Sequence, residues 1–268
     1  MLTSTDLATL LPAVTAAVRE VGELLAARQS PRPMPGVTLE DAFAVFAELD
    51  EPASALLRER LTALRPQAGW LDDELTGAAP ADGEWWSCDA TDGAVQYLSG
   101  LAHWAVTATL LQDGEPVLAV IHAPLEGHTY TAVRGGGARL NGEPVTPPRR
   151  DLRAAVAGTS HSPQAGTDPV ARRRAGQSLS AVLADVLAVR NLGPTALQVA
   201  HVASGALSLF WLYGTDPANL LPGALIAREA GATVTCADGT PWEPTATSFV
   251  AAAPSLHADL VTTLATVS

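Results

Sequence analysis

The chain has 268 residues, 47% hydrophobic and 16% charged, which is enough for one sizeable core or two smaller ones packed as a unit and is unlike a disordered chain. A formal net charge of −12 repels phosphate backbones and argues against nucleic-acid binding. All 16 basic residues are Arg, which excludes P-loop and Schiff-base lysine chemistry, and two cysteines, Cys88 and Cys236, are too few for a disulfide framework or a thiolate zinc site.

The opening MLTSTDLATLLPAV reads as a helix start and not as a signal peptide. No stretch reaches the roughly 18 unbroken apolar residues of a membrane span, so a cytoplasmic protein without membrane contact is expected. Leu7, Leu11, Val14, Val18, Val21 and Leu25 recur at three- and four-residue steps and predict a helix over 5–28. A second helix is predicted over about 40–65. Strands follow at 103–111, 117–123 and 128–133, and Asp113-Gly114 predicts a hairpin between the first two. Pro147-Pro148 sets a boundary near 148, between a half of helices and antiparallel strands (1–148) and an α/β half (149–268) packed on it as one unit. In the second half, strands at 154–158, 186–190, 207–212, 233–236 and 247–252 alternate with helices at 168–185, 195–205, 217–230 and from about 255. Such alternation predicts a layered α/β sandwich.

The acids beside turns carry whatever chemistry is present. Asp89-Ala90-Thr91-Asp92-Gly93 puts two carboxylates three residues apart before a glycine, with the Thr91 carbonyl between them. Hard divalent cations such as Mg²⁺ take such oxygens, although the same pattern also fits a solvated turn. Asp72-Asp73-Glu74 follows Trp70-Leu71 and reads equally as a solvated turn, and Asp216 before Pro217 reads equally as an ordinary helix N-cap. His103, His122 and His128 fall on strands and read as structural.

Taken in order, these segments resemble the inositol monophosphatase superfamily of metal-dependent phosphatases. The resemblance is carried by Trp86-Ser87-Cys88-Asp89-Ala90-Thr91-Asp92-Gly93-Ala94, by Arg134-Gly135-Gly136-Gly137-Ala138 and Asn141-Gly142, by Arg190-Asn191-Leu192-Gly193, and by Thr215-Asp216-Pro217-Ala218 with Glu229-Ala230-Gly231. It implies an αβαβα sandwich, a homodimer, and a Mg²⁺ cluster held by Asp73, Asp89, the Thr91 carbonyl, Asp92 and Asp216. Glu74 would stand behind the metals and Asp50 would help orient the attacking water. The backbone at Gly93, together with Thr159, Ser160, His161, Leu212 and Tyr213, would meet a small phosphorylated substrate.

The sequence also departs from that pattern. Ala94 stands where the family carries Thr, whose hydroxyl helps position the water, and the loss of such a contact costs about 10²–10⁴ in rate. Asp73 replaces a Glu. Phe210-Trp211-Leu212-Tyr213-Gly214 lacks the acid that inositol-selective members place there, so a substrate other than inositol phosphate is expected. Its aromatic residues fit either a flatter, less polar ligand or the core of a strand. Two readings follow: a phosphomonoesterase weakened at Ala94, or a member repurposed for binding or for non-hydrolytic chemistry.

Overall fold

The computed structural model describes residues 2–33, 38–71 and 80–268. Helices α1 (Ser4–Ala26) and α2 (Leu39–Leu64) each begin with a capping box, Thr3 with Asp6 and Thr38 with Asp41, so orphan N–H groups at both helix starts are satisfied locally. Of the predicted stripe, Leu7, Val14, Val18, Val21 and Leu25 form the buried face of α1 and Leu11 is half-buried. Next come β1 (Gly69–Trp70), β2 (Glu84–Asp92), the short α3 (Ala94–Leu98), β3 (Ala105–Gln112), β4 (Glu115–Ala123), β5 (His128–Val133), β6 (Ala138–Leu140) and β7 (Glu143–Pro144). They form a seven-stranded sheet in chain order, antiparallel except for the parallel pair β1–β2. Asp113 and Gly114 both have positive φ, 54° and 80°, as the predicted two-residue hairpin turn requires.

The second half runs β8 (Val156–Thr159), α4 (Pro169–Leu183), β9 (Ala188–Arg190), α5 (Thr195–Ser204), β10 (Leu209–Tyr213), α6 (Pro217–Glu229), β11 (Thr233–Thr235), β12 (Ser248–Ala252) and α7 (His257–Leu264). Its five-stranded sheet has the order β11-β12-β10-β8-β9, with β8 parallel to both neighbours and β12 antiparallel to both of its own.

Four apolar layers tie these elements together. α1 and α2 pack on one face of the large sheet through Val18, Leu25, Leu57, Trp86 and Trp104. α5 and α6 pack on its other face through Ala196, Ala200 and Ile226 against Ile121 and Tyr130. The same two helices cover the small sheet through Val199, Leu221 and Ala224 against Phe210 and Phe249. α4 and α7 close the far side through Val182, Leu260 and Leu264 against Trp211 and Val250. Because α5 and α6 serve both sheets they are buried nearly all round, and the order is the αβαβα sandwich expected.

One local expectation is corrected. Asp89–Asp92 is not a turn ahead of the first strong strand but the end of the nine-residue strand β2, which pairs with β3 along its length. Repeated bulky side chains at Trp85 and Trp86 and the polar run behind them hide the period-two alternation that marks a strand.

Candidate active site

The acids of β2 are aimed by a break in its pairing. Asp89 pairs with Thr107 and Asp92 with Ala105, so three steps on β2 match two on β3. That extra residue is a β-bulge, which bends a strand and redirects side chains near its end. The chain then turns at Gly93, with φ +97°, a backbone shape side chains rarely adopt. A Cβ there would lie 3.2 Å from Trp104 Cβ and 3.3 Å from the His103 carbonyl oxygen, so the glycine also allows the loop before β3 to close on the turn.

Around the bulge the polar groups are interlocked. The Thr91 N–H donates to Asp89 Oδ1 at 2.7 Å. The Thr91 hydroxyl donates to Asp50 Oδ1 at 2.8 Å, and Ser54 donates to Asp50 Oδ2 at 3.1 Å from one turn further along α2. Asp50 is thus brought from α2 to the β2 acids, a contact 41 residues apart in sequence.

Asp216 does not behave as an ordinary N-cap. It occupies the N-cap position of α6, with Pro217 beginning the helix, yet its side chain makes no capping hydrogen bond. Its Oδ1 accepts from Asn219 Nδ2 at 2.8 Å, and the residue is only 3% exposed. Asp92, 4% exposed, and Asp216 line one cleft of about 330 Å³ together with Gly93, Ser160, His161 and Thr195. The Thr195 hydroxyl donates to Ser160 Oγ at 3.0 Å across this wall. Two carboxylates 124 positions apart therefore line one cleft, beside the hydroxyls of Ser160 and Thr195, oxygen donors of the kind a hard cation takes. A roomier groove of about 760 Å³ between α1 and β4–β6, lined by Arg19, His122 and Arg139, contains none of the residues predicted for the site.

Other predicted residues lie differently. The Thr159 hydroxyl donates to the Trp211 carbonyl at 3.0 Å and ties β8 to β10. Leu212 and Tyr213 are buried along β10 and do not line the cleft. Phe210 packs edge-on against Phe249, and Trp211 Nε1 donates to Ser178 at 2.8 Å, so both rings lie in the core. Ala94 begins α3 directly after Gly93. Asp73 and Glu74 lie outside the described residues.

Some residues carried no sequence signal. Asn219 and Thr195 support the cleft, and only their places at the starts of α6 and α5 hinted at it. A second group gathers around Glu126, in the turn between β4 and β5. Among the described residues, Glu126, His128 and His201 are the one set of three metal-ligating side chains whose donor atoms lie within 4.8 Å of one another. Burial pushes the His201 imidazole down to about 4, while the Glu126 charge pulls the other way, so the ring is neutral near pH 7.

The molecule is thus an αβαβα sandwich in which Asp92, at the end of β2, and Asp216, at the start of α6, line one cleft, while Asp89 is not among the residues lining it. Comparison with known proteins agrees: the model of the inositol monophosphatase family matches residues 6–268. An inositol-1-monophosphatase of Rhizobium meliloti is 34% identical over 208 residues, 76% of each chain. A Nus factor SuhB of Xylella fastidiosa is 32% identical over 186 residues, covering 69% of this chain and 66% of the relative. The solved inositol monophosphatase of Anabaena superposes with a TM-score of 0.82 at 24% identity, over 98% of both chains, a likeness of fold. The chain belongs to the inositol monophosphatase family, a family of phosphatases.

Proposed function

We propose that this chain is a Mg²⁺-dependent phosphomonoesterase acting on a small phosphorylated metabolite other than inositol phosphate. The observation that carries the reading is Asp216: a buried carboxylate at a helix start that leaves the helix uncapped and shares a polar cleft with Asp92. Asp92 and Asp216, with Asp89, the Thr91 carbonyl and Asp73, are the oxygens that would hold Mg²⁺. When bound, the metal supplies charge neutralisation of the phosphate and acidification of a water.

The chain's own groups do the rest. Asp50, held by the hydroxyls of Thr91 and Ser54, is the carboxylate that takes the proton of the attacking water, with Glu74 behind the metal ligands. Ser160, His161 and the Gly93 backbone line the same cleft and face the ester. With Ala94 in place of Thr, the water keeps a proton acceptor but loses one orienting hydroxyl, so turnover is slow. The segment Phe210-Trp211-Leu212-Tyr213-Gly214, which stands for the acid-bearing stretch of inositol-selective members, holds no acid and is buried, which leaves polyol hydroxyls without a partner on that strand.

Ala94 is also the observation that favours the second reading, a scaffold kept for binding or for a different reaction. Phosphate release from a generic aryl phosphate with and without Mg²⁺ separates the two: Mg²⁺-dependent release supports the esterase, and Mg²⁺ binding with background release supports the repurposed member. A cytoplasmic homodimer is the expected setting, and light scattering on the purified protein tests the dimer.

A further inference from the structure

Three of the chain's six histidines, His103, His128 and His201, converge on one carboxylate, Glu126, from three separate places in the sequence. The contacts divide between the two carboxylate oxygens. Oε2 faces His128 Nδ1 at 3.1 Å and His201 Nε2 at 3.4 Å, whereas Oε1 receives His103 Nδ1 at 2.5 Å. A single carboxylate cannot neutralise three imidazolium ions, and packing them together would set their charges against one another.

His201 makes the ion-pair explanation weaker still. The residue is 9% exposed and sits near the end of α5, with its Nε2 turned toward Glu126. That Nε2 stands 3.4 Å from Oε2, long for a hydrogen bond between these groups. Donors about 2.1 Å from a tetrahedral ion stand roughly 3.4 Å apart, and the separations about Oε2 are already close to that edge. The 2.5 Å contact at Oε1 is too short for such an edge and is instead the hydrogen bond by which an outer residue orients a ligand.

We propose that Glu126, His128 and His201 form a binding site for one divalent transition-metal ion of the Zn²⁺ class, with His103 as the residue that positions Glu126. Two imidazoles and a carboxylate suit borderline metals better than Mg²⁺, and solvent completes the coordination, since His128 is partly exposed. The site is built from side chains other than those of the carboxylate cleft and does not depend on the phosphatase reading. Its ion would join the β4–β5 turn to α5. Through His103, whose carbonyl lies against the Gly93 turn, it would also brace the loop that packs on the end of β2.

The test uses Co²⁺ as the probe, added to metal-stripped full-length protein in excess Mg²⁺. The expected result is one equivalent of Co²⁺ with the intense visible absorption of a four-coordinate ion, discharged by Zn²⁺ but not by more Mg²⁺. His128→Ala and His201→Phe should each weaken Co²⁺ binding by about 100-fold or more, and His103→Ala by about 10-fold, the range for an outer partner. Circular dichroism checks that each variant is folded. If His201→Phe does not fold, the partly exposed His128 decides the matter. Absence of the visible bands, Co²⁺ affinity unchanged in His128→Ala, or displacement by Mg²⁺ would each overturn the site.

Discussion

The two groups of candidate metal donors in this molecule differ in how they are built. The cleft of Asp92 and Asp216 is made of oxygens placed at the ends of regular elements: a strand ended by a bulge and a helix started by Pro217. The group around Glu126 is made of imidazoles and one carboxylate, from a turn, a strand start and a helix. Donor chemistry separates them before any ion is considered, since hard oxygens suit Mg²⁺ and imidazoles suit borderline metals. The difference teaches that ligand type alone would separate the metal preferences of the two groups, one assembled from acids far apart in sequence and the other from a local pair, Glu126 and His128, joined by the distant His201.

The sharpest way to break this comparison is at Asp216. Asp216→Asn keeps the shape and the Asn219 contact but removes the charge, and a metal contribution of several kcal/mol corresponds to a fall of about 10³-fold in phosphate release at about 1.4 kcal/mol per decade. Co²⁺ bound at Glu126 should be untouched by this change. Equal loss of both would mean that the two sets are one site.

Next in size is position 94. Ala94→Thr restores the hydroxyl after Gly93 and should raise hydrolysis about 10-fold or more, read as kcat on an aryl phosphate. Unchanged background release with Mg²⁺ still bound would favour the repurposed member.

Thr91→Val probes the support of Asp50. It removes the hydroxyl that donates to a carboxylate, a bond worth about 1.5–3 kcal/mol, so urea denaturation should show a loss of that order together with slower hydrolysis. An unaltered unfolding midpoint would show that Asp50 is held without Thr91.

The smallest effect concerns a histidine outside both groups. Burial lowers the His257 imidazole below its usual 6.5, and its Nε2 lies 2.8 Å from Thr235 Oγ1. The unfolded chain therefore takes up this proton first as acid is added. Stability is intact above about pH 6.5 and falls as the pH drops from there toward the folded value. His122 and His201 shift in the same direction, so the quantity to read is the difference that His257→Gln makes to unfolding free energy at pH 7.5 and pH 5. The variant should show the shallower dependence.

Much of the fold was legible because its signals are periodic. The α1 stripe, the Asp113-Gly114 hairpin and the strand–helix alternation after 156 each rest on local spacing that packing did not override. β2 was harder, since its tryptophan pair and polar tail show no alternation, and the bulge that aims Asp92 leaves no mark in composition. The aromatic run 210–213 fitted a ligand wall or a core equally well, and only the packing of Phe210 and Trp211 places those two rings inside. The Asp89–Asp92 pair was visible as a motif. The group at Glu126 was not, because His103, Glu126, His128 and His201 follow no ligand spacing and meet only when α5 is laid on the large sheet.

The most direct test of the central claim is an anomalous diffraction experiment on crystals grown with Mn²⁺ in place of Mg²⁺ and with inorganic phosphate. A Mn²⁺ peak is expected within about 2.2 Å of carboxylate oxygens of both Asp92 and Asp216, with phosphate beside it facing Ser160 and Gly93. A cleft without a Mn²⁺ peak at those two carboxylates would contradict that claim.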